Sequence, residues 1–94
     1  MKAKLVGDRV YFDCPACGMM HAVTIEAKAR PQPVWTWNQS LTKPTFSPSI
    51  LVKHYSGDQI KLVCHSFVTD GKIQYLNDCT HELAGQTVEL PDFD

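Results

Sequence analysis

Two cysteines separated by two residues place the strongest constraint on how this chain folds. The segment Cys14-Pro15-Ala16-Cys17-Gly18 has the spacing of a metal-binding knuckle, in which a tight turn points both thiolates at one ion. A chain of 94 residues buries a modest core, so a bound ion would add useful stability. Two further cysteines far along the chain can complete a tetrahedral site. The sequence therefore predicts one domain, residues 1–94, around a structural zinc ion held by Cys14, Cys17, Cys64 and Cys79.

Histidines offer alternatives for the fourth zinc ligand. His81 lies two residues after Cys79 and can replace it, and His21 and His65 are further candidates, because three sulfurs and one imidazole suit zinc equally well. A redox-active pair is disfavoured because the flanking segments resemble strands, whereas a thioredoxin-like motif opens a helix. The N-terminus carries no export signal, which predicts the cytoplasm, where structural disulfides are rare.

Short strand-like segments joined by turns dominate the rest of the chain. Gly7-Asp8 and Asp70-Gly71 each separate two such segments and predict hairpins, whereas Pro31-Gln32-Pro33 predicts a loop. Asp78 can cap a short helix that ends at Gly85. The strand-like segments are 4–6, 10–12, 21–27, 34–38, 46–55, 60–68, 72–76 and 87–90. The predicted fold is mostly β, a small antiparallel domain resembling a zinc ribbon, with one short helix near the C-terminus.

Charge and hydropathy narrow the classes of partner. The net charge is −1, which gives no general attraction to nucleic acid, and no apolar run approaches the roughly 18–20 residues that cross a bilayer. Trp35 and Trp37 share one face of a strand, where a place in the core is more typical than a binding platform. These observations favour a protein as partner or substrate over a membrane or nucleic acid.

The residue types of a serine hydrolase occur in two polar segments. One is 43–49, and the other combines 64–66 with 78–81. A nucleophilic serine needs an adjacent base, and the base needs an acid that orients it. No G-x-S-x-G motif is present, so the arrangement cannot be taken from a motif. The alternative is that the serines bond turn backbone, the aspartate caps a helix and the histidines bind metal. The candidates are Ser47, Ser49 or Ser66 as nucleophile, His65 or His81 as base, and Asp78 as orienting acid.

Several motifs together resemble a known family. They are Trp35-Thr36-Trp37-Asn38, Pro44 to Ser49, Cys64 to Val68, Asp78-Cys79-Thr80-His81 and Leu83 to Val88. The resemblance is to small proteins of unknown function encoded by bacteriophages and prophages, often mislabelled as ammonia monooxygenase. Copper-dependent monooxygenase activity does not follow, because this chain is small and rich in thiols.

Longer and more distant relatives of that family accompany bacterial ubiquitin-like conjugation operons, where they act as proteases that remove the modifier. Their Ser-Pro-Ser-Ile segment is matched by Ser47-Pro48-Ser49-Ile50. Their Cys-x-Ser-His segment is matched at Cys64 and Ser66 only, since Phe67 stands in place of the histidine. The resemblance implies a serine-type peptidase acting on conjugates of a ubiquitin-like modifier, with His65 or His81 as base. The alternative is a zinc module without enzymatic activity that binds a host protein.

Overall fold

The computed structural model describes residues 1–26 and 34–93, and the strands within them form two antiparallel sheets. The smaller sheet contains strands β1 (Lys4–Val6), β2 (Arg9–Cys14) and β3 (Met19–Thr24) in the order β1-β2-β3. The predicted hairpin at Gly7-Asp8 is confirmed, since Val6 pairs with Arg9 across it. The predicted loop at 31–33 and the end of the segment 21–27 lie outside the described residues.

The larger sheet has five strands in chain order, β4-β5-β6-β7-β8. They are β4 (Thr36–Trp37), β5 (Phe46–Ser56), β6 (Gln59–Thr69), β7 (Lys72–Tyr75) and β8 (Thr87–Glu89). The predicted Asp70-Gly71 hairpin is confirmed: Thr69 pairs with Lys72, and both turn residues have positive φ, as this type of turn requires.

One hydrophobic cluster lies between the inward faces of the two sheets. Alternate residues of β2, β6 and β7 point into it, as the pleat of a strand dictates. Phe12 of β2 stacks on Phe46 of β5 with ring centroids 5.9 Å apart, so the sheets meet directly. The fully buried residues around them include Val10, Val23, Val68, Ile73 and Leu90.

The helix predicted for residues 78–85 is wrong, since residues 1–26 and 34–93 contain no helix, although the fold is mostly β as expected. The Gly85 amide donates to the carbonyl of Tyr75 in β7, 3.0 Å away, instead of to a carbonyl four residues back. The Asp78 carboxylate contacts His65 and is therefore not a helix cap. A bond from Gly85 to the sheet and local turn bonds, such as that from the Ala84 amide to the His81 carbonyl, thus replace the bonds that a helix would form. No helix in the described part of the chain is suited to span a membrane.

Candidate functional site

The knuckle brings three cysteines and one histidine together. Cys14 ends β2, and the Gly18 amide closes the turn on the Cys14 carbonyl at 3.0 Å, with Gly18 at a φ of 67°. Cys64 approaches from the inward face of β6 and His21 from β3. The ligand atoms of Cys14, Cys17, His21 and Cys64 all lie within 4.8 Å of one another.

The spacing of these atoms fits a tetrahedral metal ion. The sulfur atoms of Cys14 and Cys64 are 3.8 Å apart, and a tetrahedral ion with metal–sulfur bonds of about 2.3 Å separates its sulfurs by about 3.8 Å. His21 is 4% exposed, and its Nε2 has no hydrogen-bond partner among the described residues. A buried polar nitrogen without a partner costs roughly 1–3 kcal/mol, and a coordinated ion would remove that cost. The four residues can therefore hold a metal ion.

The thiols interact strongly with one another. The hydrogen bond with Cys64 lowers the pKa of Cys14 to about 3, and the same contact raises the pKa of Cys64 far above its usual range. Burial raises the pKa of Cys17 to about 11. Burial also raises the pKa of Tyr75, whose hydroxyl lies 3.2 Å from the Cys14 sulfur. These contacts favour the thiolate of Cys14, which is the form in which a cysteine would bind a metal ion.

The structure brings His21, not Cys79, to the three other cysteines. β2 and β3 pair with Cys14 opposite Met19 and Phe12 opposite His21, so His21 lies on the same face as Cys14 and diagonal to it. This relation follows from a short turn between the two strands. The short spacing between Cys14 and His21 is therefore the sequence feature that favours His21 over the other histidines as a ligand.

Cys79 lies elsewhere because the chain leaves the regular ladder after β7. A continued regular hairpin would place Cys79 diagonal to Cys64, on the same face of the sheet. Instead β7 ends at Tyr75, a turn is closed by the Cys79 amide on the Leu76 carbonyl at 3.2 Å, and Thr80 then pairs with Val63. The Cys79 thiol contacts the backbone of His65 in place of the metal ligands.

A Ser–His–Asp arrangement lies on the outer side of the larger sheet. Ser49 Oγ is 3.1 Å from His65 Nε2, and His65 Nδ1 is 2.9 Å from Asp78 Oδ2. The side chains of His65 and Asp78 are 24% and 58% exposed, so the group is open to solvent. This is the connectivity by which an imidazole takes a proton from a serine while a carboxylate holds the other ring nitrogen.

A bulge in β5 directs Ser49 toward His65. Phe46 pairs with Val68 and Ile50 with Ser66, so three residues of β5 face the single residue Phe67 of β6. Bulges of this kind re-aim a side chain next to a site. The Trp35 indole N–H donates to the Ser49 carbonyl at 3.2 Å, and the Thr36 hydroxyl donates to the Ser47 carbonyl at the same distance. Trp35 and Thr36, at the start of β4, therefore hold the bulge in place.

The other candidates do not take part in this arrangement. Ser47 is exposed, and Ser66 is 1% exposed on the inward face, with no partner for its hydroxyl among the described residues. Nδ1 of His81 accepts a hydrogen bond from the Leu83 amide at 3.2 Å, and its ring packs edge-on against Tyr75. From the six residues considered, the structure brings together Ser49, His65 and Asp78.

The chain was compared with families, curated proteins and solved structures. Residues 2–76 match the model of the family described as bacterial ubiquitination-like system serine protease (BubE). No curated protein and no solved structure matches the chain significantly. The family match includes the four candidate metal ligands, Ser49 and His65, and it ends two residues before Asp78. Because it covers well over half of the chain, this protein belongs to the BubE family.

Proposed function

We propose that this member of the BubE family is a serine protease that uses Ser49 as nucleophile, His65 as base and Asp78 as orienting acid. The observation that carries the proposal is the continuous pair of hydrogen bonds from the Ser49 hydroxyl through the imidazole to the carboxylate. The family description, a serine protease, supports the same chemistry. Two independent lines thus favour acyl transfer over a role in binding alone.

In the proposed mechanism, each proton transfer involves one nitrogen of His65. Ser49 Oγ attacks the carbonyl carbon, and its proton passes to His65 Nε2, 3.1 Å away. The bond from carbon to the leaving amine then breaks, and Nε2 returns the proton to that amine. Water next attacks the acyl-serine ester in the same manner, which releases the acid and restores Ser49. Asp78 accepts a hydrogen bond from Nδ1 throughout, which leaves Nε2 free to act as base.

The metal in this proposal is a structural zinc ion. Cys14, Cys17, His21 and Cys64 supply three sulfurs and one nitrogen, a common tetrahedral set that leaves no position for water. Zinc bound there would supply cross-linking between the knuckle and β6 and no direct chemistry. Cys64, the ligand on β6, lies on the inward face of that strand, whereas His65 points outward.

The proposed substrate is the bond between a ubiquitin-like modifier and its target protein, or the bond that ends a modifier precursor. The family's place in a ubiquitination-like system supports this choice. The exposure of the His65 and Asp78 side chains, 24% and 58%, also suits a protein substrate better than a deeply enclosed site would. Neither a membrane nor a nucleic acid is required.

The deciding experiment compares Ser49→Ala with the matched control Ser47→Ala, two residues away in the same bulge. Both variants are incubated with a fluorophosphonate probe, in which a serine oxygen displaces fluoride from phosphorus, and with a purified modifier conjugate. We expect labelling and cleavage to vanish in Ser49→Ala and to persist in Ser47→Ala. Cleavage that survives in Ser49→Ala would refute the proposed nucleophile. A stable complex with the conjugate and no labelling of the native protein would point instead to a binding module.

A further inference from the structure

We propose that Cys79 is a positioning residue for the active site, acting through the backbone of His65. The inference rests on the proposed function, because it concerns the same base. The starting point is the place of Cys79, which is 8% exposed. It is not among the four candidate metal ligands, and its thiol makes two hydrogen bonds to His65.

The thiol bonds to both backbone groups of His65. The His65 amide donates to the Cys79 sulfur at 3.2 Å, and the thiol donates to the His65 carbonyl at 3.1 Å. In a regular antiparallel ladder, the amide and carbonyl of one residue are paired by the backbone of the residue opposite. Here a side chain replaces the backbone as partner of the His65 amide.

This replacement is needed because the backbone ladder is interrupted at His65, the proposed base. The Leu76 amide donates to the His65 carbonyl at 2.9 Å, and the next backbone bond between the two segments joins Thr80 to Val63. Between Leu76 and Thr80 the chain turns outward, and Asp78 is in that turn. Without the thiol, the His65 amide would lose its hydrogen-bond partner in a partly buried position, which would destabilise the backbone at His65.

The same contact fixes the distance between base and acid. Cys79 directly follows Asp78, and its thiol anchors the turn to the backbone that carries the imidazole. The 2.9 Å contact between His65 Nδ1 and Asp78 Oδ2 therefore depends on two elements that Cys79 joins. A misplacement of about 1 Å at a reacting group can reduce a rate about a hundredfold. A thiol is small enough for the turn and can donate and accept at once.

The test compares Cys79→Ala, which removes both bonds, with Cys79→Ser, whose hydroxyl can still donate and accept. The control is Thr80→Val. It removes the hydrogen bond that the backbone amide of Val63, on the same strand as His65, donates to the Thr80 hydroxyl at 2.9 Å. Saturation kinetics of fluorophosphonate labelling give the maximal rate of Ser49 modification separately from probe affinity. Zinc content per chain is measured for each variant by elemental analysis.

We expect Cys79→Ala to lower the maximal labelling rate at least tenfold, with unchanged probe affinity and one zinc per chain. Cys79→Ser should recover the rate to within threefold of the native protein, and Thr80→Val should stay within threefold. An unchanged rate in Cys79→Ala, an equal loss in Thr80→Val, or loss of zinc in Cys79→Ala would overturn the inference. If Cys79→Ala does not fold, Cys79→Ser decides: a rate within threefold supports the inference, and a larger loss refutes it.

Failure of this inference is distinguishable from failure of the proposed function. If the native protein is not labelled at Ser49, the protease assignment fails. If the native protein is labelled and Cys79→Ala reacts at the native rate, only the role of Cys79 fails.

Discussion

Replacing the Asp78 carboxylate by an amide should slow Ser49 labelling moderately, by about 30-fold. The side chain is 58% exposed and lies 2.9 Å from His65 Nδ1. Once His65 has taken the serine proton, the imidazolium and carboxylate charges are about 4 Å apart, worth about 1 kcal/mol in water and about 4 kcal/mol near a protein surface. The exposure of Asp78 indicates a value between these limits, about 2 kcal/mol, which corresponds to about 30-fold in rate.

This magnitude differs from that of a buried triad. Where the aspartate is fully enclosed, the same substitution costs about 10⁴-fold, in part because the wrong tautomer is then held in place. At Asp78 water can replace the lost interaction. The contribution should also shrink in 1 M salt, where the screening length falls to about 3 Å.

The assay is the maximal rate of fluorophosphonate labelling in Asp78→Asn and Asp78→Ala, at low and high salt. Asp58→Asn is the matched control, because Asp58 is an acid in the turn at the opposite end of the β5–β6 hairpin. Losses below threefold in both Asp78 variants would refute the assignment of Asp78 as orienting acid. A loss near 10⁴-fold would refute the reasoning from exposure.

Three further predictions concern the parts that support the site. His21→Ala should bind zinc less tightly and unfold at a lower temperature than the native protein, measured by competition with a chelator and by thermal denaturation; equal zinc affinity would exclude His21 as ligand. Trp35→Phe removes the N–H that donates to the Ser49 carbonyl, and a net hydrogen-bond energy of about 1 kcal/mol predicts a labelling rate about fivefold lower; an unchanged rate would show that Trp35 does not position the nucleophile. Gly71→Ala should reduce the free energy of unfolding by about 1–2 kcal/mol in denaturant titration, because Gly71 has a φ of 78° and a Cβ there would lie 3.3 Å from the Lys43 Cα; a stability equal to the native one would contradict the strain.

Local signals in the sequence were sufficient for much of the fold. The turns at Gly7-Asp8 and Asp70-Gly71 fix the register of two hairpins, because a two-residue turn determines which residues pair. The helix was predicted from a capping residue and a glycine stop. Such signals are weak over eight residues, and here local turn bonds and a bond from Gly85 to β7 use the backbone groups instead.

The site was harder to predict than the fold because two irregularities decide it. The bulge in β5 selects Ser49 among three serines, and the turn after β7 redirects Cys79 from the metal ligands to His65. Both depend on tertiary contacts, such as that of Trp35 with the Ser49 carbonyl, which no local pattern encodes. The pairing of β2 with β3, by contrast, already places His21 beside Cys14.

Strand β6 connects the bulge in β5 and the turn after β7 to the candidate metal site. Cys64 and His65 are adjacent, so the alternation of a strand sends the thiol inward to the cluster and the imidazole outward to Ser49. The backbone between them is held on one side by the ligand set and on the other by the Cys79 thiol. In a chain of this size, few other buried contacts can fix a base to within tenths of an ångström. In the proposed mechanism, a metal ion at this site would therefore serve the chemistry by holding the strand that carries His65.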